Sequence, residues 1–467
     1  MNIDPKIFKA YDIRGIYPEQ INEHNVAMII RAIYTFFYES FHKSDMCIVI
    51  GHDMRISSPA IHATAVKTLK EMGAHCIDIG LVPTTTVYDA AVKHHANACI
   101  QISASHNPKQ YNGIKFAQII DGKAIKIGNA TGMDRIRALV QTQKFAAPSA
   151  GGSIEQDNQA IASEVSSAIE EIRPQHIAPM KIVVDPANAM GILIIKELMK
   201  RYPQISMKMI NDTLDGTFPA HQADPSQPKN MIALQKLVVQ EHAQLGVEPD
   251  GDADRIFFVD ETGKTVAPTL ITALVANEVL KQHPHAKILV DIRYIRNVIE
   301  VAKKLEGTAV ISKVGHAFIT KMLNDEGAVF AGESSGHYYF ATTGGAESSV
   351  RVFLYVLEVM GREIKPISEL VASYATSFES GETNFQTSQG FSIDSFFDQI
   401  IKKYSQGEVS KLDGLSISFP DWRFNIRTSN TEPLLRLNVE GKSETFVKEK
   451  FAELTKEIVA TGASVVA

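Results

Sequence analysis

The chain is predicted to be an α/β protein: three similar mixed α/β domains plus a C-terminal α+β domain around a central cleft. Three observations predict this. Short apolar runs recur at residues 46–51, 181–185 and 287–291, each ending in Gly or Asp; such runs suit strands buried on both faces of a parallel sheet. Helical periodicity and a second strand follow each, at 75–79, 205–210 and 309–312. A third strand then runs into a polar loop, and the three loops differ in chemistry. Open α/β sheets bind ligands beyond the carboxyl ends of their strands, so three such loops predict one shared cleft.

The elements follow in order. Tyr11-Asp12-Ile13-Arg14-Gly15 precedes the first strand; it reads either as a turn entering a helix or as a segment sending Arg14 into the cleft. The strand at 98–102 ends at Ser103-Ala104-Ser105-His106-Asn107-Pro108, which places Ser105 on a tight polar turn. Lys115 follows ten residues later, as a surface lysine or as a proton carrier or phosphate clamp returning to the serine. A small-residue linker at 145–153 closes a first domain, 1–150. In the second, 151–256, the strand at 245–249 leads into Asp250-Gly251-Asp252-Ala253-Asp254-Arg255. Crowding these carboxylates is costly without a cation, and hard oxygen ligands suit Mg²⁺. A calcium EF-hand fails here, because its glycine position holds Arg255 and a strand follows where a helix is needed.

Residues 256–260 and the turn at 261–264 read as a strand and hairpin opening a third domain, 257–370. There, residues 328–331 lead into Gly332-Glu333-Ser334-Ser335-Gly336-His337. Glu333, Ser335 and His337 offer donors and acceptors suited to sugar hydroxyls, and Lys313-Val314-Gly315-His316 adds a cation and an imidazole at the same edge. A helix is expected over 348–361. The fourth domain, 371–467, shows antiparallel strands at 415–419, 423–426 and 434–439 and a closing helix at 442–460. Its turn Arg427-Thr428-Ser429-Asn430-Thr431-Glu432-Pro433, with Arg436 nearby, offers hydroxyls, backbone N–H groups and guanidinium forks that fit a phosphate dianion.

Bulk properties narrow the class. The 467 residues are 45% hydrophobic and 21% charged, which are globular values. A net charge of −6 gives no overall field favouring nucleic acid or anionic lipid. The start lacks the charged and apolar regions of a signal peptide, and no apolar run reaches the roughly 18 residues a membrane span needs. The three cysteines, Cys47, Cys76 and Cys99, all fall in predicted strands and read as buried hydrophobes. A reduced, cytoplasmic setting is expected, with neither nucleic acid nor membrane as partner.

A serine, an acidic metal loop, a polyol loop and a phosphate loop add up to phosphoryl transfer on a sugar phosphate. With these four ordered motifs the sequence resembles the α-D-phosphohexomutase family over essentially its whole length. The resemblance implies a heart-shaped enzyme of four domains around a central cleft. It implies that Ser105, beside His106, is the phosphorylated serine, and that Asp250, Asp252 and Asp254 hold Mg²⁺ with a phosphoserine oxygen. Arg14, Lys115, Arg255 and His316 would line the reaction centre, and Tyr11, Lys313 and Gly315 would bind substrate. Glu333 and Ser335, with His337 beside them, would bind sugar hydroxyls, and Arg427, Ser429, Asn430, Thr431 and Arg436 the phosphate that is not reacting. It further implies hexose 1,6-bisphosphate as intermediate and activator, small-molecule sugar phosphates as partners, and supply of mannose 1-phosphate for nucleotide-sugar synthesis as the usual role.

Two positions depart from the family pattern: Arg293 stands where a lysine is usual, and Ser334 where Met or Gln is common. They leave mannose, glucose and glucosamine open as substrates. Lys115, His337 and His316 are all candidates for the proton-handling group. A kinase would need a nucleotide-binding glycine loop, and none is present. A phosphatase would use the same serine and metal but admit water, and a sensor could dispense with Ser105.

Overall fold

The computed structural model describes residues 3–388, 390–428 and 434–466. The three repeats fold alike. In the first sheet Cys47–His52 lies parallel between His75–Leu81 and Ala98–Ile102, and Tyr111–Ile120 returns antiparallel beside the latter. In the second, Lys181–Val184 lies between Ser206–Met209 and Leu245–Pro249, and Ile256–Val259 returns antiparallel. In the third, Lys287–Asp291 lies between Thr308–Ser312 and Phe330–Gly332, and Tyr338–Phe340 returns. Each polar loop thus occupies one topological position, between the third parallel strand and its antiparallel return.

That repeat corrects two boundaries. Residues 256–260 and the following hairpin do not open the third unit. Ile256–Val259 pairs with Leu245–Pro249, and Thr265–Val266 then pairs with Ile256–Val259, completing the second sheet. The strand just past the 145–153 linker, Ser153–Gln156, pairs parallel with His75–Leu81 and extends the first sheet beyond residue 150. The Tyr11 segment enters no helix; Ile13–Ile16 is an antiparallel edge strand against Tyr111–Ile120. Its alternation of buried and half-buried residues is what an edge strand requires.

The fourth unit is a mainly antiparallel sheet ordered Glu408–Ser410, Leu415–Ser418, Trp422–Thr428, Leu434–Gly441, Thr383–Gln386 and Ser464–Val465. The expected helices are present as Ser349–Glu363 and Glu444–Val459. Val184, Leu198 and Phe258 of the second unit share one hydrophobic core with Ile288, Phe340 and Val356 of the third. The first unit has its own core around Ile30, Ile50 and Ile100, and the fourth around Phe385, Phe424 and Leu437. The fourth joins the third through a buried polar seam. Arg423 Nη1 donates to Ile292 O (2.8 Å) and Glu440 Oε1 (3.0 Å), and Glu440 also accepts from the Ile295 and Arg296 amides. Cys76 and Cys99 are buried and Cys47 half-buried, all as free thiols. Among the described residues no helix is long and apolar enough to cross a membrane.

Candidate active site

Ser105 is buried just past the end of Ala98–Ile102. Its Oγ lies 3.1 Å from Asp250 Oδ2 and 3.1 Å from His106 Nδ1. Gly251 makes this approach possible: a Cβ there would meet Ser105 O at 2.4 Å. The serine turn is held from below by Arg55, which sequence reasoning missed. Its guanidinium, wholly buried, donates to the carbonyls of Ser105 (2.6 Å), Asn107 (2.6 Å), Pro108 (2.9 Å) and Tyr111 (2.9 Å), while Asp53 balances its charge. Only the run Gly51-His52-Asp53-Met54-Arg55, a charged pair at the end of the first strand, signals it in sequence. From the other side Arg14 Nη1 donates to Ala104 O (3.2 Å) and contacts Asn107 Oδ1, with Nε on Asp12 (2.7 Å).

The acidic loop is buried, and ligand oxygens of Asp250, Asp252 and Asp254 lie within 4.8 Å of one another. Lys115 Nζ sits 2.6 Å from both Asp252 and Asp254. Burial alone would lower the lysine's pKa; the two carboxylates override it and hold the ammonium charged well above its usual range. Burial and the charges of Asp254 and Asp252 push Asp250 upward. Asp252 Oδ1 is buried without a hydrogen-bond partner among the described residues. Three clustered carboxylates with an oxygen left over suit a hard divalent cation. The loop is anchored on both sides: Thr84 contacts Asp252, and Ser349 Oγ donates to Ala253 O (2.8 Å).

The third loop completes a relay of charges. His337 Nε2 is 3.4 Å from Asp254, and Nδ1 is 3.0 Å from Glu333 and 2.9 Å from Ser335 Oγ. Burial opposes the imidazolium, but the two carboxylates prevail and push its pKa up to about 9. Arg255 Nε lies 3.2 Å from the same ring, with Asp250 at 3.9 Å. His316 opens the helix His316–Glu326, edge-on to Tyr11 at 5.2 Å between ring centroids. Gly315, at φ 123°, is pressed so closely by Tyr11 that a Cβ would meet its hydroxyl at 2.6 Å. Burial, then the charges of Lys126 and Lys115, hold His316 well below the usual histidine range. The Gly315 amide donates to Glu333 (3.2 Å), and the Lys313 ammonium lies 5.8 Å from the Phe318 ring. The Ser334 hydroxyl donates to Asp291 (2.7 Å).

Arg293 contacts Asp291 (2.8 Å) and Glu333 (3.3 Å) and lies 3.9 Å from Glu382. Glu382, also missed from sequence, pairs with Arg427 (2.8 Å) and Arg436 (3.3 Å). Ser429, Asn430 and Thr431 lie outside the described residues. Polar contacts therefore run without a break from Ser105 through Asp250, Arg255, His337, Glu333, Arg293 and Glu382 to Arg427.

Four units carrying these loops in this order match, one by one, the phosphoglucomutase/phosphomannomutase domains. The alpha/beta/alpha domains I, II and III match residues 5–147, 159–263 and 268–378, and the C-terminal domain matches 394–457. The chain belongs to this family. It is 34% identical over 462 residues to a Vibrio cholerae phosphomannomutase, covering 97% of this chain and 98% of that one. It is 33% identical over 468 residues to a Methanocaldococcus jannaschii phosphomannomutase, covering 99% of each. A crystal structure of a Burkholderia thailandensis phosphoglucomutase/phosphomannomutase family protein superposes with TM-score 0.88 at 27% identity, covering 99% of this chain and all of the other. As a family member the chain is a phosphohexomutase, an isomerase with an acidic cluster fit for its metal.

Proposed function

We propose that this phosphohexomutase interconverts hexose 1-phosphates and 6-phosphates by relaying a phosphoryl group through Ser105. The observation that carries this reading is the contact of Ser105 Oγ with both Asp250 and His106. In the forward step the phosphoserine P–Oγ bond breaks as the P–O6 bond of a hexose 1,6-bisphosphate forms. The bisphosphate turns around, and Ser105 Oγ attacks the 1-phosphate, releasing the 6-phosphate. Asp250, Asp252 and Asp254 would hold Mg²⁺, which supplies charge neutralisation on the transferring group.

The surroundings of each candidate base support the following proton assignments. His316, held neutral, takes the O6 proton. His337 is held charged and Lys115 is fixed between aspartates, so both stabilise negative charge and neither acts as a base. Burial, Arg255 and Arg14 hold His106 well below the usual range, so its ring is neutral and placed to take the Ser105 proton in the return step. Arg14 and Arg255 neutralise the transferring phosphoryl group. Tyr11, Lys313 and Gly315 shape the wall around His316. Glu333 and Ser335 receive sugar hydroxyls, and Arg427, Arg436 and the turn 429–431 hold the distal phosphate. Hexose 1,6-bisphosphate primes the serine.

If Glu333 and Ser335 receive the O3 and O4 hydroxyls, which mannose and glucose share, O2 is left largely unread, and large discrimination needs a buried polar partner left unpaired by the wrong substrate. Mannose and glucose phosphates should therefore both be substrates, with kcat/KM within about two decades and glucosamine 1-phosphate lower. The test mixes protein, Mg²⁺, a trace of glucose 1,6-bisphosphate and each hexose 1-phosphate without ATP. Formation of 6-phosphate is expected. Release of inorganic phosphate instead would establish a phosphatase, and dominant glucosamine turnover would move the chain to that subfamily.

A further inference from the structure

Arg427 and Arg436 are direct cross-strand partners in the pairing of Trp422–Thr428 with Leu434–Gly441. Like charges placed opposite each other across a ladder are destabilising. One carboxylate resolves the conflict: Glu382 Oε2 lies 2.8 Å from Arg427 Nη2 and Oε1 lies 3.3 Å from Arg436 Nη1, so each oxygen serves one guanidinium. Arg293 Nη1, from the third unit, approaches the same carboxylate at 3.9 Å. Glu382 thus sits where three cationic side chains converge, spanning them much as a phosphate dianion would. Burial would raise its pKa, but the charges of Arg293, Arg427 and Arg436 keep it below the usual carboxylate range.

We propose that Glu382 is a built-in stand-in for the substrate's non-reacting phosphate: a positioning residue that neutralises the arginine pair in the empty enzyme and is displaced when a phosphate monoester arrives. This rests on the reading of the Arg427 turn as a phosphate site. Two anions cannot share the same guanidinium donors without repulsion, so Glu382 competes with substrate. Its side chain keeps a quarter of its surface exposed, which leaves it a route out toward solvent. The arrangement trades affinity for a stable empty state and a faster release of product.

The competition predicts an unusual sign: removing a carboxylate that contacts the binding arginines should tighten binding. Glu382→Gln, of the same shape, should bind inorganic phosphate about three- to tenfold more tightly by isothermal titration, the range expected for a partly exposed charge interaction. KM for hexose 1-phosphate should fall in parallel. In phosphate-free buffer the variant should melt below wild type, with the gap closing as phosphate is added. Unchanged or weaker phosphate binding would overturn the proposal, as would a melting deficit that persists at saturating phosphate, because both describe a merely structural glutamate. Arg427→Ala, titrated alongside, separates the underlying reading. If it binds phosphate as wild type does, the turn is not a phosphate site and the stand-in role falls with it; if it loses that binding, the Glu382 result speaks for Glu382 alone.

Discussion

Ser105 holds a left-handed backbone conformation, φ 52°, that non-glycine residues seldom adopt. Such strain persists only where surroundings over-determine it, and here Arg55, Arg14 and the Ser103 hydroxyl, which accepts from the Ser105 amide at 2.9 Å, do so. The hydroxyl itself stabilises little, because its partners are an aspartate and a histidine that have other contacts. Ser105→Ala should therefore fold normally and lose turnover by orders of magnitude. Intact mass spectrometry of enzyme treated with glucose 1,6-bisphosphate should show a phosphate adduct on wild type alone. An adduct kept by the variant would remove Ser105 from the relay.

At the scale of the element, the serine turn is held by a charge from another segment buried beneath it, one guanidinium serving four of its carbonyls. Arg55→Met keeps the side-chain length but leaves those carbonyls unsatisfied and Asp53 buried without its partner. Losing one member of such a buried pair costs about 3–5 kcal/mol. The Tm should fall accordingly. Because the turn carries Ser105, kcat should fall with KM little changed; a loss confined to KM would mean that Arg55 does not position the serine.

Across the whole molecule, three units meet at a second buried cluster. Glu164 of the helix Ala160–Ile172 accepts from Thr86 (2.6 Å) on the helix Thr84–Lys93. Arg351, on Ser349–Glu363, reaches Asp89 (3.5 Å) and Glu171 (2.6 Å) beside it. Burial, then the charge of Asp89, pushes the Glu164 carboxyl up to about 7 from an ordinary 4.5, while Thr86 and Arg351 oppose the rise. Between those values the folded state keeps a proton that the unfolded chain releases, so this group's contribution to stability is lost as pH rises through that window. In Glu164→Gln the fall in Tm across that range should be shallower than in wild type. An unchanged slope would show that Glu164 is not the titrating group at this joint.

The sequence by itself determined the repeated strand order, the chemistry of each loop and the family, because apolar β-branched runs and clustered polar turns are local patterns. It could not say which unit owned residues 256–266: a strand looks the same whichever sheet it joins, and only pairing with Leu245–Pro249 decides. The repeat held the answer, since the other two units also follow their polar loop with an antiparallel return. Nor did it expose Arg55 or Glu382, whose roles lie in contacts with residues about fifty positions away. Under the proposed reading, what distinguishes the three candidate bases that sequence left equal is also tertiary. Charge state depends on burial and on neighbours drawn from other units: Lys115 lies between aspartates of the second, His337 between Asp254 and Glu333, and His316 beside lysines of the first. Residue type sets what a group can do; the electrostatic surroundings that decide what it does exist only once the units have packed.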